Sequence, residues 1–416
     1  MVNPAGTNGF KYSTFYIYLF YAYLIVIYPF LYQYYEGDQK VAVLNRVFVA
    51  ILIVLILSKY LPRLISKPFY NIDLLFMIQF SYLMISISLY SMSAQIYPMD
   101  ILKEYLYSII PILFYFVSKT YSIREFKTFI MILFFSILII SLLGILEASD
   151  YTFSDRMANA LAKKGKGNFI SYYSAIGMGY IAQLAFALLL FDIVRIKKIK
   201  YPLMGLFFII SLLTLQRSSY LGIIFALISY SIFKGRNNKV SFLLFGLFLL
   251  MVLNTLISTD HTNYYGFDVG RYIMDEINSF DLESVQRQRA GQSIVSNSND
   301  WFSILFGEGF GKYSPNNILT IRKMPDASYQ RIFNEIGAIG SILFFLPFVS
   351  LSIKYIKEHN SFMIYFIIFS LFAFYFNRIL WMIPLNYIIY SIIGFSMSNN
   401  NRDKLNDVYH IHGKNI

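Results

Sequence analysis

The sequence predicts an all-α fold: a polytopic membrane helix bundle of about twelve transmembrane helices, with a partly helical loop domain on its outer face. Three observations predict it. Of 416 residues, 57% are apolar and only 14% charged, and mean hydropathy is +0.55, whereas soluble domains are about 45–50% apolar and about 25% charged. The apolar residues fall in runs of the length that crosses a bilayer, roughly 20 residues for about 30 Å of hydrocarbon. The basic residues, finally, gather on one side of the chain's successive crossings. An ordinary soluble enzyme is thereby excluded. The absence of cysteine removes disulfides and thiolate metal sites. A formal charge of +12 does not point to nucleic acid here, because in such a chain the placement of Lys and Arg matters more than their sum.

Single spans are expected at 13–35, 41–58, 69–91, 101–118, 128–146, 169–191, 240–257 and 337–353. Two stretches, 202–233 and 362–396, are too long for one crossing. Gln216-Arg217-Ser218-Ser219 interrupts the first and Asn377-Arg378 the second, so each reads as a pair. With the amino terminus inside, the inner loops carry Lys59, Arg63 and Lys67, then Lys119, Arg124 and Lys127, then Arg195, Lys197, Lys198 and Lys200. Lys234, Arg236, Lys239, Lys354 and Lys357 follow. Lys11 and the tail residues Arg402, Lys404 and Lys414 bring the inner total to 19. The short outer connections hold only Lys40, Arg217 and Arg378. Both termini are therefore expected in the cytoplasm. The chain divides into 1–257, with a smaller outer loop at 147–168, a large outer loop at 258–336, further spans over 337–396, and a polar tail at 397–416.

The large loop is 79 residues long, with ten acidic and seven basic groups. Loops beyond about 15 residues are functional or disordered. Tyr272, Ile273, Met274, Ile277 and Phe280 at helical spacing, followed by Trp301-Phe302-Ser303-Ile304-Leu305-Phe306, favour a folded cap. A plain packing module is the alternative.

Ionisable groups at membrane depth are costly and read as functional. The stretch 202–233 makes roughly 48 Å of helix, against about 60 Å for two full crossings, so the turn carrying Arg217 should lie below the outer surface. The stretch 362–396 repeats the argument for Arg378. Either arginine alone could snorkel to the headgroups; two arriving beneath one large loop suggest a site. Guanidinium forks match phosphate oxygens bidentately, and Arg287, Arg289, Arg322 and Arg331 in the loop offer more. Gly307-Glu308-Gly309-Phe310-Gly311 lacks the strand-to-helix setting of a phosphate loop and reads as a turn. Asp326 and Glu335 are candidate proton acceptors, although Asp326 is also placed to cap a helix. No Asp-x-Asp pair, His-Glu-x-x-His or nucleotide-binding motif occurs.

These features resemble the bacterial O-antigen polymerase (Wzy) family, which belongs with the O-antigen ligases in one superfamily. The resemblance covers most of the chain. It rests on the order of spans, the two outer loops, and three local matches: Thr214 to Ser219, Trp301 to Gly311, and Asp326-Ala-Ser-Tyr through Gly337 and Gly340. Arg156 and Gly167 of the smaller loop add an Arg-to-Gly spacing similar to that of some polymerases. Ligases carry a His where Asp326 stands, which leans away from a ligase. The resemblance implies a metal-independent, cofactor-free transfer in the inner membrane. A glycan leaves its undecaprenyl diphosphate carrier for a hydroxyl of the next lipid-linked oligosaccharide repeat unit. It implies Arg217, Arg378, Arg156 and the loop arginines on the diphosphate and glycan, and Asp326 or Glu335 as base. The implied partners are that oligosaccharide, membrane lipid and a chain-length regulator protein. A lipid-linked oligosaccharide flippase or other transporter is the rival from a different class. A structural or scaffold role is the third reading, and it leaves Arg217 and Arg378 without a purpose.

Overall fold

A computed structural model of the chain describes residues 15–28, 39–93, 98–148, 175–196, 198–213, 217–233, 263–264, 267–268, 301–310, 328–376 and 384–398. Apart from one short ribbon, the regular structure among them is helical. In chain order the helices are α1 (Phe15–Ile27), α2 (Gln39–Leu64), α3 (Asn71–Ser93), α4 (98–119), α5 (Ile123–Ala148) and α6 (Ala175–Leu190). They continue with α7 (Lys200–Leu213), α8 (Arg217–Phe233), α9 (Trp301–Phe306), α10 (Ser328–Lys357), α11 (Ser361–Phe376) and α12 (Leu385–Ser396). The ribbon pairs β1 (Asn263–Tyr264) antiparallel with β2 (Phe267–Asp268), four residues of strand that the sequence reading did not anticipate.

Five of these helices contain stretches long and apolar enough to cross a membrane: Val43–Leu64, Asn71–Ser91, Ile101–Lys119, Ile123–Leu142 and Arg331–Lys357. Six shorter apolar helices of 10–17 residues accompany them. The broad faces of α2 and α3 agree with this. Leu44, Phe48, Ile51, Leu55, Ile85 and Leu89 all stand exposed, a density of bare apolar surface that water does not tolerate and lipid does. Each of the two long stretches expected to be a pair contains two described helices: α7 ends at Leu213 and α8 begins at Arg217, and α11 ends at Phe376 and α12 begins at Leu385. The expected span 240–257 lies outside the described residues. Several boundaries differ from expectation: α2 runs on to Leu64 and α5 begins at Ile123. The helix expected at 337–353 begins at Ser328, and the expected limit at Gly337 is a break within it (φ 69°, ψ −171°).

Local chemistry explains where helices start and stop. Ser122 and Glu125 form a reciprocal capping box at the head of α5. The Ser122 N–H donates to Glu125 Oε2 (2.8 Å) and the Glu125 N–H to Ser122 Oγ (3.2 Å). Asn360 caps α11 through the Met363 N–H (3.1 Å), with His359 at φ 51° making the reversal out of α10.

The centre of the molecule is aromatic. Phe20 of α1 stacks on Phe114 of α4 at 4.8 Å, and both meet Tyr387 of α12 edge-on. Helices α4 and α12 approach closely because position 394 is glycine; a Cβ there would stand 2.0 Å from the Tyr115 carbonyl oxygen. Buried Gln79 of α3 donates to the Phe344 carbonyl of α10 (3.2 Å) and to the Tyr390 hydroxyl of α12 (3.3 Å). The first of these falls in the turn before Pro347, where the helix lacks one N–H. A second group of helices comprises α6, α7, α8 and α11, with Gln183 bonded to the Tyr365 hydroxyl (3.1 Å).

The basic end of the bundle is tied by charge. Asp73 and Lys119, both buried, pair at 2.5 Å. Asp73 also accepts from the Tyr115 hydroxyl (2.6 Å) and the Tyr70 N–H (2.5 Å), while Lys119 donates to the Pro68 carbonyl (2.7 Å). Buried charges survive when paired and hydrogen-bonded in this way. Nearby, Glu125 accepts from Tyr60 (3.1 Å) and Arg63 (3.2 Å).

Candidate functional site

At the end of the bundle opposite Asp73 and Lys119, three charged side chains meet in the interior. Arg331 of α10 is fully buried; its Nη2 lies 2.6 Å from Glu104 Oε2 on α4, and its Nε 2.8 Å from Glu335 Oε1 one turn further along α10. The Phe310 ring lies 5.2 Å from the guanidinium carbon, within cation–π range. Glu104 is itself buried.

Each partner is positioned by a departure from regular helix. Glu104 is the last residue before a π turn, Tyr105–Ile109. Such turns leave carbonyls open and recur at functional sites. Here the Leu106 and Tyr107 carbonyls accept from the Tyr387 hydroxyl (2.6 Å) and Asn386 Nδ2 (2.9 Å) of α12. Glu104, at the head of this turn, reaches Arg331 of α10. Helix α10 is broken at Gly337, whose φ and ψ belong to a region open essentially to glycine alone. The break strips the carbonyls of the first segment, 328–336, of their ordinary partners.

Those carbonyls are capped by residues far away in sequence. The Glu308 N–H donates to the Asn334 carbonyl (2.9 Å) and the Gly309 N–H to that of Glu335 (2.9 Å). The Tyr82 hydroxyl of α3 donates to the Ile336 carbonyl (3.1 Å). The Phe310 N–H then donates to Ser86 Oγ of α3 (3.0 Å). The segment 301–310 thus returns to the bundle and plugs the break. Gly307 (φ 79°) and Gly309 (φ 104°) are required for it: a Cβ on Gly307 would lie 2.4 Å from the Glu335 carbonyl group. The Gly-rich run is a turn, and its N–H groups are aimed at a helix C-terminus.

Of the residues singled out in the sequence, the structure brings together Arg331 and Glu335. Arg217 is the first residue of α8. Arg156, Arg287, Arg289, Arg322, Asp326 and Arg378 lie outside the described residues. The backbone nevertheless relates two of the expected turns. Helices α8 and α11 pack on one another, and Phe191 of the chain after α6 touches Tyr230 near the end of α8 and Phe362 and Tyr365 near the start of α11. The two helices are therefore antiparallel, and Arg217 and Phe376, two residues before Arg378, share the opposite end. Phe374 meets Phe344 and Phe348, so α11 stops level with the middle of α10 rather than at its head.

Glu104 was not anticipated. Its signal was available, since it is an acid inside the apolar run 101–118, and the rule that picked out Arg217 applies to it equally. Among the described residues no group of three or more His, Asp or Glu side chains is arranged to hold a metal ion. Chemically, the cluster offers a carboxylate pair fixed in direction by one guanidinium, a rigid support rather than an open anion site. No protein family model matches the chain, and no curated protein matches it.

Proposed function

We propose that this chain is a multi-pass membrane glycosyltransferase of the O-antigen polymerase kind. It joins undecaprenyl-diphosphate-linked oligosaccharide repeat units at the outer face of the bacterial inner membrane, with twelve crossings and both termini in the cytoplasm. The observation that supports the reading is that segment 301–310 of the long loop is bonded to α3 and α10 at the end of the bundle that holds Arg331. Helices α8 and α11 are antiparallel, with Arg217 and Phe376 at the end remote from their shared aromatic contacts.

In the proposed reaction a sugar hydroxyl of the incoming unit attacks the anomeric carbon of the growing chain. The bond from that carbon to the diphosphate oxygen breaks, and undecaprenyl diphosphate leaves with the electron pair. Arg217, Arg378 and the loop arginines Arg287, Arg289 and Arg322 stabilise the developing negative charge, with Arg156 contributing from the smaller loop. The hydroxyl proton passes to a carboxylate. Glu335 is committed to Arg331 in the interior, which leaves Asp326, just ahead of α10, as the acceptor. Arg331, Glu104 and Glu335 fix the first segment of α10, which Asp326 precedes by two residues in the chain.

A second reading has one specific observation behind it. A helix broken at depth beside intramembrane charges is a device that transporters also use, which favours a lipid-linked oligosaccharide flippase. Purified protein in vesicles, given lipid-linked repeat units and nothing else, separates the two: polymer supports the glycosyltransferase, and movement of unpolymerised units across the bilayer supports the flippase. Arg217→Ala is expected to abolish polymer at unchanged protein level, and Arg217→Lys to do little better, because the fork is lost. Full polymer in both variants overturns the role of Arg217.

A further inference from the structure

The basic end of the bundle carries a feature that the polymerase reading does not use. Between α1 and α5 lies a groove of about 520 Å³, lined by Tyr18, Ile123, Arg124, Lys127, Thr128 and Met131. Arg124 and Lys127 are exposed, and neither makes an ion pair among the described residues. The one acid on the same turn, Glu125, is turned away: its carboxylate is consumed by Ser122, Tyr60 and Arg63. The groove therefore presents two cations with no ion pair among the described residues, and Thr128 and Tyr18 share its lining.

Above the cations the character of the same face changes. Met131, Phe135, Ile139 and Leu142 follow at intervals of three and four, all exposed, which places them on one stripe of α5 continuous with Arg124 and Thr128. From Met131 to Leu142 the helix rises about 16 Å, close to the roughly 15 Å of hydrocarbon in a single leaflet. A charged head followed by one leaflet's length of apolar face is complementary to one kind of molecule.

We propose that this groove is a binding site for an anionic phospholipid, with the phosphodiester headgroup between Arg124, Lys127 and Thr128 and the acyl chains along the α5 stripe. The chemistry recognised by the two cations is a phosphate. The apolar stripe makes its source a lipid rather than a soluble phosphate compound.

The test uses the full-length protein in a neutral detergent, with lipid binding followed by native mass spectrometry and by thermal unfolding. Phosphatidylglycerol, phosphatidylcholine, glycerol 3-phosphate and inorganic phosphate are added separately. Phosphatidylglycerol is expected to bind and to raise the midpoint, phosphatidylcholine to do so much less, and the two soluble phosphates not at all. Arg124→Gln combined with Lys127→Gln should weaken phosphatidylglycerol binding by about thirtyfold without lowering the midpoint in phosphatidylcholine. A charge-matched control, Lys67→Gln with Lys198→Gln, removes two cations from the same end away from the groove and should leave binding intact. Equal loss in the control, or equal response to the two lipids, overturns the proposal in favour of diffuse surface charge. A full response to glycerol 3-phosphate overturns the assignment to lipid.

Discussion

Arg331 lies where a guanidinium is costly to place, and two carboxylates and an aromatic face meet the cost. Removing one member of a buried ion cluster leaves the others uncompensated, which costs about 3–5 kcal/mol. Arg331→Met is therefore expected to lower unfolding stability by that amount, measured by denaturation in detergent. The additional changes Glu104→Gln and Glu335→Gln should recover a large part of it, because neutral side chains no longer repel. A single variant as stable as the parent would mean that the cluster does not secure α10. Arg217 belongs to the other kind of arginine, one expected to meet substrate, so its loss should appear in polymer formation and not in stability.

At the scale of elements, the informative object is α10 with its plug. Two glycine-dependent structures meet: the turn at 307–310 and the break at 337. A Cβ on Gly337 would lie 2.4 Å from the backbone carbonyl of Leu305, and the conformation itself excludes other residues. Gly337→Ala must therefore either straighten α10 or expel the 301–310 segment, and in both cases the caps on the 334 and 335 carbonyls are lost. The expected outcome is a protein that still folds through α4 and α12 but becomes readily cleaved by protease within 301–336, with polymer formation lost. Unchanged protease resistance would show that the break tolerates a side chain. The π turns of α1 and α4 work by the same logic. The turn of α1 covers Tyr23–Ile27; the hydroxyls of Tyr28, just after it, and of Tyr107, within the turn of α4, meet at 2.7 Å.

For the whole molecule, the claim at stake is sidedness. Basic residues collect at the end where Asp73 pairs with Lys119, and the glycine turn and buried Arg331 occupy the other. The chain contains no cysteine, so single introduced thiols report without background. In intact cells with the outer membrane permeabilised, Asp268→Cys on β2 should react with a membrane-impermeant maleimide. Lys198→Cys, between α6 and α7, should react only after the inner membrane is opened. The reverse pattern would invert the topology and with it the placement of the proposed site.

Much of this architecture was legible in one dimension. Helix class and the turn over 307–310 follow from local rules: apolar run length, and the scarcity of positive φ outside glycine. The sequence also marked Arg331 and Glu335 as charged residues near a span, but assigned them to the outer loop rather than to the bundle interior. Only the tertiary structure decided that they face each other inside the bundle, that Glu104 is their third member, and that a segment some thirty residues upstream caps the broken helix. Those contacts join positions separated by up to 227 residues, and no local pattern encodes which distant carboxylate a buried guanidinium will find. That choice is made when the helices pack, because a charge excluded from both water and lipid is retained only where the folded chain supplies its counter-charge.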